Sequence, residues 1–145
     1  FCTSGTTGMP KCVMHSHRTI AAFGEEKSAN QVLRGQRIPN GPGSTRLLSS
    51  GIRGITGLYG VMTTLPYGGR LVMENVFGNA SCPEVWCQLI TRYQVTKVVL
   101  FGSSMSKFVS AFRHTQFPGV TSVVYSGTSF PVDLVLQTMS MFPNA

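Results

Sequence analysis

Nine consecutive residues, Thr3-Ser4-Gly5-Thr6-Thr7-Gly8-Met9-Pro10-Lys11, gather four hydroxyl side chains, two glycines and one cation. These are the groups a polyphosphate needs. Glycine lets main-chain N–H groups converge on an anion, hydroxyls add donors that rotate toward oxygen, and lysine supplies compensating charge. The run is not a Walker A loop, which sets Gly-Lys directly before Ser or Thr at the head of a helix. Here Met9 and Pro10 separate Gly8 from Lys11, and Cys12 follows. By composition alone, a Gly/Ser/Thr-rich run is more often an ordinary surface connection, so the elements around it have to decide.

Those elements alternate. After the polar opening, Arg18 to about Leu33 suits a helix, and Gly35 to Ser44 is a loop dense in Gly and Pro. A strand is predicted over Arg46 to Ser50, then a buried helix over Ile55 to Leu65 that tolerates two glycines. The turn Gly68-Gly69 leads to a strand over Arg70 to Glu74. Pro83 to Tyr93 reads as a helix with Pro83 in its first turn and Ser81 available as a cap. Strand Lys97 to Phe101, helix Ser103 to Phe112, strand Ser122 to Tyr125 and helix Pro131 to Met141 complete the order. Short strands alternating with helices of about ten residues predict an α/β layered domain with a mainly parallel sheet flanked by helices. At 145 residues and 42% hydrophobic, the chain holds enough apolar material for one core.

Charge and cysteine usage exclude several classes. Twelve Lys and Arg against five Asp and Glu give +7, but the cations are scattered singly, without a basic run or a basic helix face interleaved with aromatics. Nucleic acid is therefore not an expected partner. Cys2, Cys12, Cys82 and Cys87 form no C-x-x-C pair and the three histidines supply no matching ligand set, so no zinc site is expected and the thiols read as reduced. No stretch reaches the length of a membrane span, and the first residues do not read as a signal peptide, so an intracellular protein is expected, with the compartment open among peroxisome, mitochondrion and cytoplasm. Phe1 and Ala145 look like cuts, so the chain is expected to be an internal piece.

The ordered string Ser4-Gly5-Thr6-Thr7-Gly8-x-Pro10-Lys11, with Ser16-His17-Arg18 beginning five residues later, resembles the signature loop of the adenylate-forming (AMP-binding) superfamily. That superfamily includes acyl- and aryl-CoA synthetases such as 4-coumarate-CoA ligases, beetle-type luciferases and peptide-synthetase adenylation domains. Leu47-Leu48-Ser49-Ser50 through Gly57 to Tyr67-Gly68-Gly69-Arg70-Leu71-Val72 resembles the strand, pocket helix and glycine turn that follow the loop. Val123-Val124-Tyr125-Ser126-Gly127-Thr128-Ser129 resembles the strand and turn that lie against the adenylate. The resemblance spans nearly the whole chain. Departures are Cys12, where the family usually has Gly, Thr128, where Gly or Ala is common, and Gly51-Ile52-Arg53-Gly54, which lacks the histidines of the luciferase element.

The resemblance implies an incomplete part of the large N-terminal domain over 1–145, with the C-terminal domain absent. It implies an ATP-dependent carboxylate-CoA ligase: a carboxylate attacks the α-phosphate of ATP, then coenzyme A displaces AMP. The alternatives are a luciferase-like or peptide-synthetase adenylation domain, or a non-catalytic nucleotide-binding relative. By resemblance Thr3, Ser4, Gly5, Thr6, Thr7, Gly8 and Lys11 hold phosphates, and Ser126, Gly127, Thr128 and Ser129 lie against the nucleotide. No catalytic residue or metal ligand falls within the chain. His17 either positions the loop or is a structural hydrogen-bonder. Ile55, Leu58, Tyr59 and Met62 either frame the acyl pocket or belong to the core. The parent would use ATP, Mg2+ and coenzyme A on a fatty or aromatic carboxylic acid. The family's Tyr-Gly-x-Thr-Glu element, ribose-binding aspartate and late lysine would lie further on, so this chain alone is expected to be inactive.

Overall fold

The computed structural model describes residues 2–3, 8–9, 11–22, 25, 41–49, 52, 54–74, 82–126 and 129–145, with 2–3, 102–103 and 126 described by backbone only. Two short strands, β1 (Cys2–Thr3) and β2 (Lys11–Cys12), form an antiparallel hairpin. Residues 17–22 are helical, α1. Ser16 starts that helix, its Oγ accepting a hydrogen bond from the Thr19 N–H at 3.1 Å. Beyond it, the expected helix to Leu33 and most of the expected loop to Ser44 lie outside the described residues.

The body is a four-stranded parallel sheet in the order β4-β3-β5-β6. Its strands are β3 (Thr45–Leu48), β4 (Arg70–Met73), β5 (Lys97–Phe101) and β6 (Ser122–Ser126). Helices α2 (Ile55–Met62), α3 (Pro83–Arg92) and α4 (Gly102–Phe112) make the successive crossovers, and α5 (Val132–Met141) follows β6. The α/β, mainly parallel expectation therefore holds. Observed elements depart from expectation at their ends. β3 is shorter than Arg46 to Ser50, α2 stops at Met62, and Leu65–Tyr67 is a separate 3-10 turn closed by Gly68 at φ 77°. A positive φ there suits glycine, which carries no Cβ to collide with the preceding carbonyl.

One face of the sheet holds the core. Alternation along the strands sends Leu47, Val72, Val98 and Leu100 to the same side, where they meet Trp86 and Ile90 of α3, Met105, Phe108 and Val109 of α4, and Met141 of α5. Phe108 is the hub, its ring 5.4–6.4 Å from those of Trp86, Phe112, Phe117 and Phe142. These separations suit tilted and offset aromatic pairs, each adding on the order of 1 kcal/mol beyond burial.

The start of α3 shows how a missing cap is replaced. Its N-cap is Cys82 rather than Ser81, and Cys82 makes no side-chain cap bond. Glu74, directly after β4, accepts from the Cys82 N–H at 3.1 Å and from Trp86 Nε1 at 2.6 Å. One carboxylate thus satisfies a helix-start donor and a core indole together, with its charge at the positive end of the helix dipole.

The opposite face is covered differently. Gly57 and Gly60 are the buried residues of α2, and a Cβ at Gly60 would meet Leu48 Cδ1 at 2.5 Å and Arg46 Nε at 3.5 Å. These glycines are not merely tolerated. They let the α2 backbone lie directly on β3.

Candidate functional site

In a parallel sheet, ligands bind outside the carboxyl ends of the strands, at the point where the strand order reverses. Here β3 feeds β4 on one side, while β5 returns on the other side of β3, so that point lies between β3 and β5. The two strands share only two register pairs, Arg46 with Lys97 and Leu47 with Val98. Past them, Ser49 bridges the gap by donating from Oγ to the Val99 carbonyl at 2.6 Å. The carboxyl end of β6 lies beside that of β5, with Ser126 paired to Phe101. Thus Ser126 stands at this edge, and Ser129 is exposed in the segment leading to α5.

The hairpin explains how the hydroxyl-rich run is held. Thr3 pairs with Lys11 and Cys2 with Cys12, so the first and last residues of the run face each other across the ladder. Gly8, between them, adopts φ 94°, with nothing within 4 Å of where a Cβ would sit. The glycine is needed for its backbone angle and not for space. Lys11 is exposed. Of the other expected site residues, Ser4, Gly5, Thr6, Thr7, Gly127 and Thr128 lie outside the described residues.

The chain leaving the hairpin runs along α2. His15, Thr19 and Ile20 from one side and Ile55, Leu58, Tyr59 and Met62 from the other line a groove of about 110 Å³. Gly57 and Gly60 take the sheet-facing side, and the large apolar residues turn toward α1. His17 lies farther along, lining a second groove with Ala21, Glu25 and Tyr67.

Two buried cations sit at the other end of the strands. Arg46 is 2% exposed, donates from one terminal nitrogen to Thr63 Oγ1 at 3.0 Å and lies over the Tyr59 ring at 5.4 Å. Burial lowers its pKa, partly offset by Tyr59. Lys97, its register partner, is 6% exposed, and burial together with Arg46 pushes its pKa down to about 8. Both lie near the amino ends of their strands, away from the crevice. Among the described residues, no group of three or more His, Cys, Asp or Glu could hold a metal ion, so no step through magnesium is derived from them. No helix among them is long and apolar enough to cross a membrane.

Sequence reasoning missed the hairpin and the groove. A two-residue ladder carries no alternation to read, and a helix stripe does not say which neighbour it meets.

Solved structures share this architecture. An o-succinylbenzoate-CoA synthetase (MenE) from Bacillus subtilis, in complex with ATP and magnesium ion, aligns over 97% of this chain at 17% identity and TM-score 0.67. A nonribosomal peptide synthetase, FmoA3, in its AMPPNP-bound form, aligns over 93% at 22% identity and TM-score 0.77. A luciferase-like enzyme from the nonluminescent mealworm Zophobas morio aligns over 93% at 18% identity and TM-score 0.70. The chain spans 27%, 14% and 30% of those chains, respectively. No curated protein matches the sequence. At such identities the structures establish the fold alone. The family model for AMP-binding enzymes matches residues 1–145, and the chain belongs to that family.

Proposed function

We propose that this chain is the phosphate-binding part of an ATP-dependent acyl- or aryl-CoA synthetase. In this reading Thr3 to Lys11 hold the β- and γ-phosphates, and Ser126 to Ser129 lie against the nucleotide. The observation that carries it is the hairpin register. Thr3 and Lys11 are opposed, and Gly8 between them sits at φ 94°, a left-handed angle of the kind used where successive main-chain N–H groups form an anion-binding nest. Lys11 offsets charge on the departing pyrophosphate, so catalysis at this loop is electrostatic and positional. Magnesium and coenzyme A would be supplied to the full-length protein; its C-terminal domain and remaining ligands lie outside residues 1–145.

The groove between α1 and α2 supports an apolar or aromatic acid over an amino acid. Among the described residues that line it, from His15 to Met62, none is a carboxylate that would pair with an α-ammonium group. The FmoA3 likeness keeps an aminoacyl-activating relative as the competing substrate class.

The test is a titration of the full-length protein with Mg-ATP, comparing Lys11→Ala with Lys107→Ala. Both remove one exposed cation, only the first from the loop. Losing a charged phosphate contact weakens binding by about 10- to 100-fold. Lys11→Ala should show that loss and Lys107→Ala should not. Equal affinities in the two variants would remove the phosphate role from this loop. Pyrophosphate exchange with fatty, aromatic and amino acids then assigns the substrate class.

A further inference from the structure

The hairpin register that opposes Thr3 and Lys11 also opposes two cysteines, Cys2 on β1 and Cys12 on β2. Directly opposed residues of an antiparallel pair stand about 4.5 or 5.5 Å apart at Cα, according to whether the pair exchanges hydrogen bonds. Cysteines joined by a disulfide stand roughly 4.4–6.8 Å apart at Cα, and either kind of pair falls inside that window. Cys12 is exposed, and an oxidant in solution can reach it.

The other two cysteines have neither advantage. Cys82 is the N-cap of α3 and Cys87 lies inside that helix. Five residues along a helix separate Cα atoms by roughly 8.7 Å, beyond what a disulfide spans without backbone movement. Burial raises the Cys87 pKa, which reduces the thiolate needed for exchange. The Cys82 thiol donates to Glu84 Oε2 at 2.7 Å.

We propose that Cys2 and Cys12 are a reversible redox pair whose oxidant is a low-molecular-weight disulfide of the glutathione class. One cysteine thiolate attacks a sulfur of the oxidant and expels one small thiol, leaving a mixed disulfide on the protein. The thiolate of the other cysteine attacks the protein sulfur of that mixed disulfide and expels the second small thiol. The protein gives up two electrons and two protons, and the oxidant takes both as two thiols. Excess small thiol reverses the sequence. The new bond joins β1 to β2 and encloses the whole run from Thr3 to Lys11. It depends on strand register alone, and stands apart from the proposed nucleotide chemistry.

The experiment equilibrates the full-length protein with mixtures of reduced and oxidised glutathione, quenches with acid, alkylates residual thiols and digests with trypsin without reduction. Cleavage after Lys11 and Arg18 puts Cys2 and Cys12 on separate peptides, so their bond appears as a linked pair. In native protein that pair should exceed any linkage through Cys82 or Cys87 by about tenfold or more. In urea the preference should reverse, because closing the shorter Cys82–Cys87 loop loses less chain entropy. Cys12→Ser should leave Cys2 as a persistent glutathione adduct. Recovery of Cys2 and Cys12 only as separate adducts from protein with native circular dichroism would overturn the proposal. So would an identical linkage pattern in native and urea-denatured protein, or transfer of Cys2 to Cys82 or Cys87 in the Cys12→Ser variant.

Discussion

On one side of the sheet, Leu47, Val72, Val98 and Leu100 meet α3, α4 and α5 through a buried cluster of aromatic rings. On the other, Arg46 and Leu48 lie under the glycine face of α2, beside the buried Lys97, while Val124 and Met73 remain 39% and 49% exposed. The first face is a finished core. The second has little apolar material to spare, brings a helix backbone close by omitting side chains, and turns the displaced large residues of α2 toward the groove. Stability should therefore respond steeply to truncation on the first face and to added volume or removed charge on the second.

The sharpest test of that contrast is Phe108→Ala. It removes the ring touching four others and should lower unfolding free energy by about 3–5 kcal/mol in urea titrations. A loss under about 1 kcal/mol would mean that the aromatic cluster is not the stabilising core. On the opposite face the expected sign follows from adding atoms. Gly60→Ala places a Cβ 2.5 Å from Leu48 Cδ1 on a residue only 3% exposed. The overpacking costs roughly 1–3 kcal/mol and helix propensity returns up to about 1, for a net loss of about 1–2. If Gly60→Ala stabilised the protein instead, α2 would not be resting directly on β3.

Removing charge should act in the other direction. The Lys97 amine titrates at about 8 in the folded chain against an ordinary 10.5, so unfolding takes up protons between those values. The cost of burying the cation is fully present below pH 8 and declines as pH rises toward 10.5, so stability should increase across that window. Lys97→Met should abolish the rise. Parallel pH–stability curves for the two proteins would show that Lys97 is not the group responsible.

The finished face was largely legible in the sequence. The β-branched run Lys97–Phe101 has the predicted bounds, and Pro83 marks the first turn of α3 as expected. The other face was not, because alternation along β3 says that Arg46 and Leu48 share a side but not that a helix backbone covers them. A glycine lowers helix propensity in any context, so Gly57 and Gly60 read only as tolerated until the approach to β3 was known. The phosphate-type loop was readable from its ordered string of residues, but the strands flanking it were too short to show a pattern. Expectation and structure therefore agree best where many side chains repeat one message and least where a single backbone contact decides.

Gly8 and Gly60 separate two uses of the same residue, and Gly8→Ala is the mildest of these perturbations. Nothing lies within 4 Å of the Cβ it would add, so the whole cost comes from holding a side chain at φ 94°. Such strain is worth about 1–2 kcal/mol if the backbone is held in place, and less where an exposed turn can relax. Because Gly8 is exposed, we expect unfolding free energy to fall by under about 1 kcal/mol, less than for Gly60→Ala. The relaxation itself should be visible as weaker Mg-ATP binding in the full-length protein, since it turns loop N–H groups away from the anion. Global stability and nucleotide affinity falling in proportion would indicate that Gly8 supports the fold rather than the proposed phosphate site.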